Sequence, residues 1–458
     1  MAVTTPTTFL DGRVMLYGGD CLDVLATLPD NSVDSVVCDP PYHLTSIVKW
    51  FGGDNAAACK VGKTGAYARA SAGFMGKQWD GGDIAFRAET WAAVFRVLKP
   101  GGHLVAFSGT RTYHRMTCAI EDAGFDVRDM ICWHYGSGFP KSHNVSKGID
   151  KAAGAEREKI ATGAAVKRMI PGSEQNDNGS WIKDNGRIYQ PGIELPSTEA
   201  AKQWDGYGTA LKPATEPICL ARKPLIGTIV ENVLTHGTGA LNIDGCRIEA
   251  SGRPERDARA HTVPSMFGAM GGSKAIGQTN LGRWPANLIH DGSDEVLAGF
   301  PDAPGQGGAV TGNEPTANGF SGAVAFGGMK ARAGGYAPRL DSGSAARFFY
   351  TSKADSDDRL GSKHLTVKLI DLMQWLVRLV TPKGGTVLDP FAGTGTTGEA
   401  AWREGMSAIL IEREPEYQAD IARRMELATQ PTKRAAVAAT KNKLGRPEDL
   451  PLFSGESQ

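Results

Sequence analysis

The chain is 458 residues long and 41% hydrophobic, with 50 Lys and Arg against 50 Asp and Glu, enough for one large core carrying an inserted module or for two domains. Seven cysteines with no C-x-x-C pair argue against a disulfide framework and a structural zinc. No apolar run approaches roughly 18 residues and the start lacks a basic and then apolar leader, so a soluble, cytoplasmic protein that meets no membrane is expected. A net charge of zero leaves nucleic acid open, because what matters there is a local basic face. Residues 85–170 hold 13 Lys and Arg against 8 Asp and Glu, an excess that an ordinary solvated surface explains equally well.

In chain order, VMLYGGD (14–20) reads as a short strand closed by Gly-Gly-Asp, and CLDVLATLP has helical apolar spacing. VDSVVCDPPY follows as a strand that runs from valines straight into Asp39, Pro40, Pro41 and Tyr42. Residues 89–109 read as helix, Pro-Gly-Gly stop and strand, and 114–133 repeat that order, which is the alternation of an α/β sheet. From about 145 to 345 the pattern weakens, and residues 301–345 hold 11 glycines with no convincing element. EPICLARKPL (216–225) is the exception and reads as a core strand. Residues 369–380 are helical, and 382–405 read as strand, Gly-rich turn and helix. MSAILIE (406–412) is a further strand, EPEYQADIARRMEL a further helix, and 429–458 a flexible tail.

VLDPFAGTGTTGEA (387–400) sets a Gly-x-Gly turn between a strand and a helix, where glycines allow a tight turn and the helix start offers free N–H groups. Glu412 ends the next strand, 23 residues after Asp389, where an acid grips ribose hydroxyls in nucleotide-binding α/β units. These features indicate an adenosine-containing cofactor; a plain strand–helix turn is the bland alternative. A carboxylate opening the turn suits an ammonium group better than a pyrophosphate. That favours S-adenosyl-L-methionine, which carries an amine, a sulfonium and a ribose but no phosphate, over NAD.

VVCDPPY and VLDPFAGTGTT together resemble the paired motifs of DNA amino-methyltransferases of the N6-adenine/N4-cytosine type. Their order resembles the permuted beta group, in which the catalytic motif comes first. The resemblance covers most of 13–144 and 346–428, and 215–225 besides. It implies a Rossmann-like methyltransferase sheet with an inserted target-recognition region: 1–144 the catalytic half, 145–345 the insert, 346–428 the cofactor-binding half. The chemistry of the motif fits independently. An exocyclic amine is a poor nucleophile because its lone pair is delocalised into the ring. Two acceptors on its N–H bonds, the Asp39 carboxylate and the Pro40 carbonyl, would draw it toward a reactive geometry, with Pro41 lacking a competing N–H and Tyr42 stacking on a flipped base. The methyl passes in line with no covalent enzyme intermediate, so Cys38 is a packing residue rather than a nucleophile.

By resemblance the cofactor set comprises Asp20, Cys38, Thr366, Lys368, Asp389, Pro390, Phe391, Ala392, Gly393, Gly395, Thr396 and Glu412. For Asp20 a simple turn carboxylate is an equal alternative. Tyr135, in ICWHYGSGFPKSHNVSK, is a second stacking face, with core packing as the alternative for Trp133 and Phe139. HLTVKL (364–369) departs from the family's His-Pro-Thr-x-Lys-Pro: leucines stand at 365 and 369, while Thr366 and Lys368 remain to meet the methionine carboxylate. A looser loop and weaker cofactor binding are expected.

Asp rather than Ser at position 39 favours adenine over cytosine within the family. Cytosine N4, RNA, and a DNA-binding protein with impaired turnover stay open as alternatives. The insert pairs basic and aromatic residues (SWIKDNGRIY, QWDGYGTALK, NLGRWPANL) suited to double-stranded DNA. Residues 51–71 and 73–81 read as a closing loop. Leu450, Leu452 and Phe453 in DLPLF resemble a sliding-clamp peptide, though an incidental apolar tail fits better. A homodimer is a further expected partner.

Overall fold

In the computed structural model of the protein, the described residues are 5–42, 83–140, 142–162, 166–167, 188–189, 191–250, 253–256, 275–279, 281–303, 342–352, 358–362, 364 and 366–441. The expected closing loop at 51–71 and 73–81, Leu365, nearly all of 301–341, most of SWIKDNGRIY and the 448–458 peptide lie outside them.

Ten strands form one sheet: β1 Thr7–Phe9, β2 Val14–Gly18, β3 Val33–Cys38, β4 Leu98–Phe107, β5 Asp126–His134, β6 Thr215–Arg222, β7 Leu288–His290, β8 Tyr350–Thr351, β9 Thr386–Asp389 and β10 Ser407–Glu412. Their spatial order is β1-β2-β10-β9-β3-β4-β6-β5-β7-β8. All pairings from β2 through β4 are parallel, and β6 enters antiparallel between β4 and β5. The central β9 and β3 come from opposite ends of the chain and pair through Leu388 and Val36. There the strand order reverses, which is the place where open α/β sheets hold ligands.

The central strands β3, β4, β9 and β10 are covered on both faces, so they read as largely apolar, buried runs. Val37, Val105, Val387 and Leu410 point into one core with helix α5 (Ile370–Val380), helix α6 (Thr396–Arg403) and part of helix α7 (Pro415–Ala428). Val36, Cys38, Leu104 and Ile409 point into the other, with helices α1 (Cys21–Leu25), α2 (Ala88–Val97) and α3 (Tyr113–Asp122). Among the described residues no helix is long and apolar enough to cross a membrane.

Three local expectations differ from the structure. The Pro-Gly-Gly stop lies inside β4, which starts directly after α2. The pairing with β3 jumps from Val33–Leu98 to Ser35–His103 and absorbs the extra residues as an irregularity. The tail expected to be flexible carries a helix, α8, over Pro431–Lys441, where an alanine-rich run has strong helix propensity. The 145–345 stretch is not one body. One compact unit comprises 1–136 and 215–431, the other 137–214 and 432–458, so β6 and β7 belong to the sheet-bearing unit. In the second unit, Glu158–Ala161 pairs with Gly192–Leu195. There buried Asp150, on helix α4 (Val145–Ala152), accepts the Ser197 and Thr198 N–H groups and pairs with Arg157.

Candidate active site

Four neighbouring parallel strands end in acids at the same sheet edge. Asp20 lies two residues beyond β2, Glu412 ends β10, Asp389 ends β9 and Asp39 follows β3. All four line one cavity with Pro40, Pro41 and Tyr42, the turn Pro390–Thr394, Thr396, Thr366 and Lys368. The two motifs, about 350 residues apart in sequence, therefore share one site.

Each acid is held differently. Asp20 caps α1, its Oδ1 accepting the Leu22 N–H at 2.9 Å. Asp389 is 3% exposed and accepts from the Phe391 N–H at 3.0 Å and the Thr397 hydroxyl. Burial pushes its pKa up to about 7. Glu412 accepts the N–H groups of Gly393 and Glu414, both at 2.8 Å, and burial likewise pushes it up to about 7. A carboxylate has about four lone-pair sites, so Glu412 keeps capacity for hydroxyl donors.

Asp39 has the most unusual surroundings. Its Oδ2 lies 3.0 Å from Lys368 Nζ, while its Oδ1 is buried with no hydrogen-bond partner among the described residues. A buried, unpaired carboxylate oxygen is costly unless a ligand supplies a donor. Lys368 Nζ also donates to Glu216 Oε2 at 2.9 Å and to the Tyr42 hydroxyl at 3.1 Å, and the Tyr42 hydroxyl lies 3.3 Å from the same Glu216 oxygen. Burial alone would push the Lys368 pKa down, but Asp39 and Glu216 outweigh it and hold the ammonium above the usual lysine value. Burial, then the two acids, push the Tyr42 phenol well up, so it stays protonated.

The sequence had set Lys368 aside for a methionine carboxylate; in the structure its ammonium faces the acid of the catalytic motif. Thr366 does line the cavity. Leu369 precedes α5 with φ −68, the value a proline ring would impose, and packs against the core. Cys38 is fully buried in the core, with its thiol pushed well up by burial, and neither it nor Gly395 lines the cavity. Gly395 instead sits at φ +78, where a Cβ would meet Ile421 at 3.0 Å. Gly393, Gly395 and Gly398 carry the full G-x-G-x-x-G spacing, so the carboxylate, not a missing glycine, separates this turn from a pyrophosphate cradle. Tyr135 lies outside the cavity lining, with its ring 4.9 Å from Trp133.

Glu216 was read from sequence only as part of a strand. Its signal was the same anomaly as Asp39, an acid followed by proline where an apolar strand begins. Because β6 runs antiparallel, its start lies at the edge where β3 ends. His364 was likewise missed. It lines the cavity edge-on to Tyr417, and burial lowers its pKa to about 4, so it is neutral.

The cavity chemistry suits a cationic adenosine derivative. Among the described residues its one buried cationic lining side chain, Lys368, is ion-paired with Asp39 and Glu216 and so is not spare for a polyphosphate. Ile84, Phe391, Ile411 and Tyr417 offer apolar surface for a base.

The DNA methylase family model N6_N4_Mtase matches residues 33–229 and 282–423. The type II methyltransferase M.HindIII of Haemophilus influenzae is 23% identical over 249 residues, 50% of this chain and 64% of that protein. M.BglI of Bacillus subtilis is 54% identical over 46 residues, 10% of this chain and 13% of that protein. The matches thus span less than two thirds of these relatives' lengths. The solved PvuII DNA methyltransferase (cytosine-N4-specific) aligns over 100% of this chain and 98% of its own, with a TM-score of 0.41 and 13% identity.

Proposed function

The chain belongs to the N6/N4 DNA methylase family, and from that premise we propose that it transfers a methyl group from S-adenosyl-L-methionine to the N6 amine of adenine in double-stranded DNA. The observation that carries this reading is the buried Oδ1 of Asp39, without a hydrogen-bond partner among the described residues, in one cavity with the Gly393 turn and Glu412. Asp389 would meet the cofactor's ammonium group, Glu412 its ribose hydroxyls and Asp20, on the far side of Glu412, its adenine, with Phe391 and Ile411 flanking that base. Bound there, the cofactor supplies an electrophilic methyl whose transfer moves a positive charge from sulfur to nitrogen.

The protein's part is positioning and charge. Asp39 Oδ1 and the Pro40 carbonyl accept the two amine N–H groups, freeing the nitrogen lone pair for attack and stabilising the positive charge that arrives there. Tyr42, protonated and pinned by Lys368, offers its face to a base turned out of the duplex. Asp at position 39 favours adenine. The insert supplies target recognition, its basic and aromatic residues meeting phosphates and base edges.

The test is methyl transfer from labelled cofactor to duplex DNA, followed by digestion to nucleosides and mass spectrometry, with Asp39→Ala as comparison. N6-methyladenine is expected, with the variant reduced by at least about 100-fold. N4-methylcytosine would overturn the choice of base. Transfer to RNA alone would overturn the substrate, and equal counts from wild type and variant would overturn catalysis at Asp39.

A further inference from the structure

Glu216 lies on β6, far from both motifs in sequence, yet its Oε2 accepts from Lys368 Nζ at 2.9 Å beside Asp39. The three charged side chains are little exposed: 8% for Lys368 and 20% for each acid. In such surroundings a whole charge acts strongly on its neighbours. With Lys368 alone, Asp39 would face a full cation, and the pair would sum to zero just where a positive charge must arrive on the substrate nitrogen. With Glu216 present the cluster sums to one negative charge.

We infer that Glu216 is a positioning residue that neutralises Lys368, leaving Asp39 a net anionic acceptor whose Oδ2 is held and whose Oδ1 faces the substrate amine. Lys368 orients the carboxylate; Glu216 prevents that orientation from silencing it. The Tyr42 hydroxyl, within reach of both Lys368 and Glu216, ties the stacking face to the same cluster. This inference rests on the proposed methyl transfer.

The net charge of the cluster can be read without turnover. S-adenosylhomocysteine lacks the methyl and the sulfonium charge, so the ratio of its Kd to that of S-adenosylmethionine measures the negative charge near sulfur. Calorimetric titration of the full-length protein with both compounds is expected to show the preference for S-adenosylmethionine reduced about fivefold in Glu216→Gln. In Glu216→Gln/Lys368→Met, where the sum returns to one negative charge, the preference returns to within about twofold of wild type. Methyl transfer to DNA should fall about tenfold in Glu216→Gln, with DNA affinity within about twofold, and recover in part in the double variant. A merely structural Glu216 would weaken both ligands alike and make the double variant worse than either single one; that result, or an unmoved ratio, overturns the inference alone. A wild-type protein that binds neither compound overturns the proposed function and this inference with it.

Discussion

Four carboxylates at one sheet edge have different tasks because their surroundings differ. Asp39 is ion-paired with Lys368, whereas among the described residues Asp389 and Glu412 have no cation among their hydrogen-bond partners, and burial pushes both up to about 7. Their folded-state values lie above the ordinary carboxylate range. Between that range and about pH 7 the folded protein therefore holds protons that the unfolded chain has released. The stability these protons contribute is present at low pH and lost as pH rises through the folded values. A cationic ligand needs the ionised forms, so its binding expels protons. The Kd for S-adenosylmethionine is expected to fall by about tenfold for each of the two carboxyls, about 100-fold in all, from pH 6 to pH 8, and Asp389→Asn or Glu412→Gln should cut the change to about tenfold. Calorimetry in buffers of different ionisation enthalpy checks both; a flat wild-type profile with no proton release would sink the assignment. The leucines at 365 and 369 allow a second test. Leu369 already has the backbone angle of a proline, so Leu365→Pro/Leu369→Pro costs no strain there and removes unfolded-state freedom worth about 0.4–1 kcal/mol. Two- to fivefold tighter cofactor binding is expected. Unchanged or weaker binding would mean that leucine packing against the core outweighs ring rigidity.

At the scale of elements, the glycine turn is shaped as much by packing as by its ligand. Gly395 opens α6 in the left-handed region, and a methyl there would press on Ile421 and Met425 of α7 at 3.0–3.2 Å. Gly395→Ala is expected to destabilise the fold by about 1–3 kcal/mol, the left-handed penalty plus the contact, with a matching drop in urea midpoint. An unchanged midpoint would mean that α7 yields freely. Legibility followed signal strength. Long periodic runs such as 370–380 and 113–122 were read correctly, and the acids stood out because they broke apolar strands. Leu288–His290 and Tyr350–Thr351 have too few residues to show alternation. The direction of β6 also has no local signal, since pairing is decided by the strands on either side. Glu216 was lost for that reason: its residue type was visible, but the edge it faces is fixed only by topology.

At the scale of the whole molecule, the chain passes from the sheet-bearing unit into the second and back between two paired strands. His134 ends β5, Thr215 begins β6, and the two are direct antiparallel partners, while 137–214 belong to the other unit. The chain thus leaves the sheet and returns to it one strand away, the geometry in which insertions are tolerated and removable. Every residue lining the cavity belongs to the sheet-bearing unit. Replacing 137–214 with a short Asn-Gly turn, which favours hairpins, should leave S-adenosylmethionine affinity within about twofold of wild type, because no lining residue and no pairing of the ten-stranded sheet is removed. If those residues read the target, the same variant loses site-specific methylation, and sequencing of modified bases in DNA from cells expressing it should show no preferred site. Retained site preference would place recognition in the sheet-bearing unit. Loss of cofactor binding would show that the sheet needs the insert to close its own hairpin.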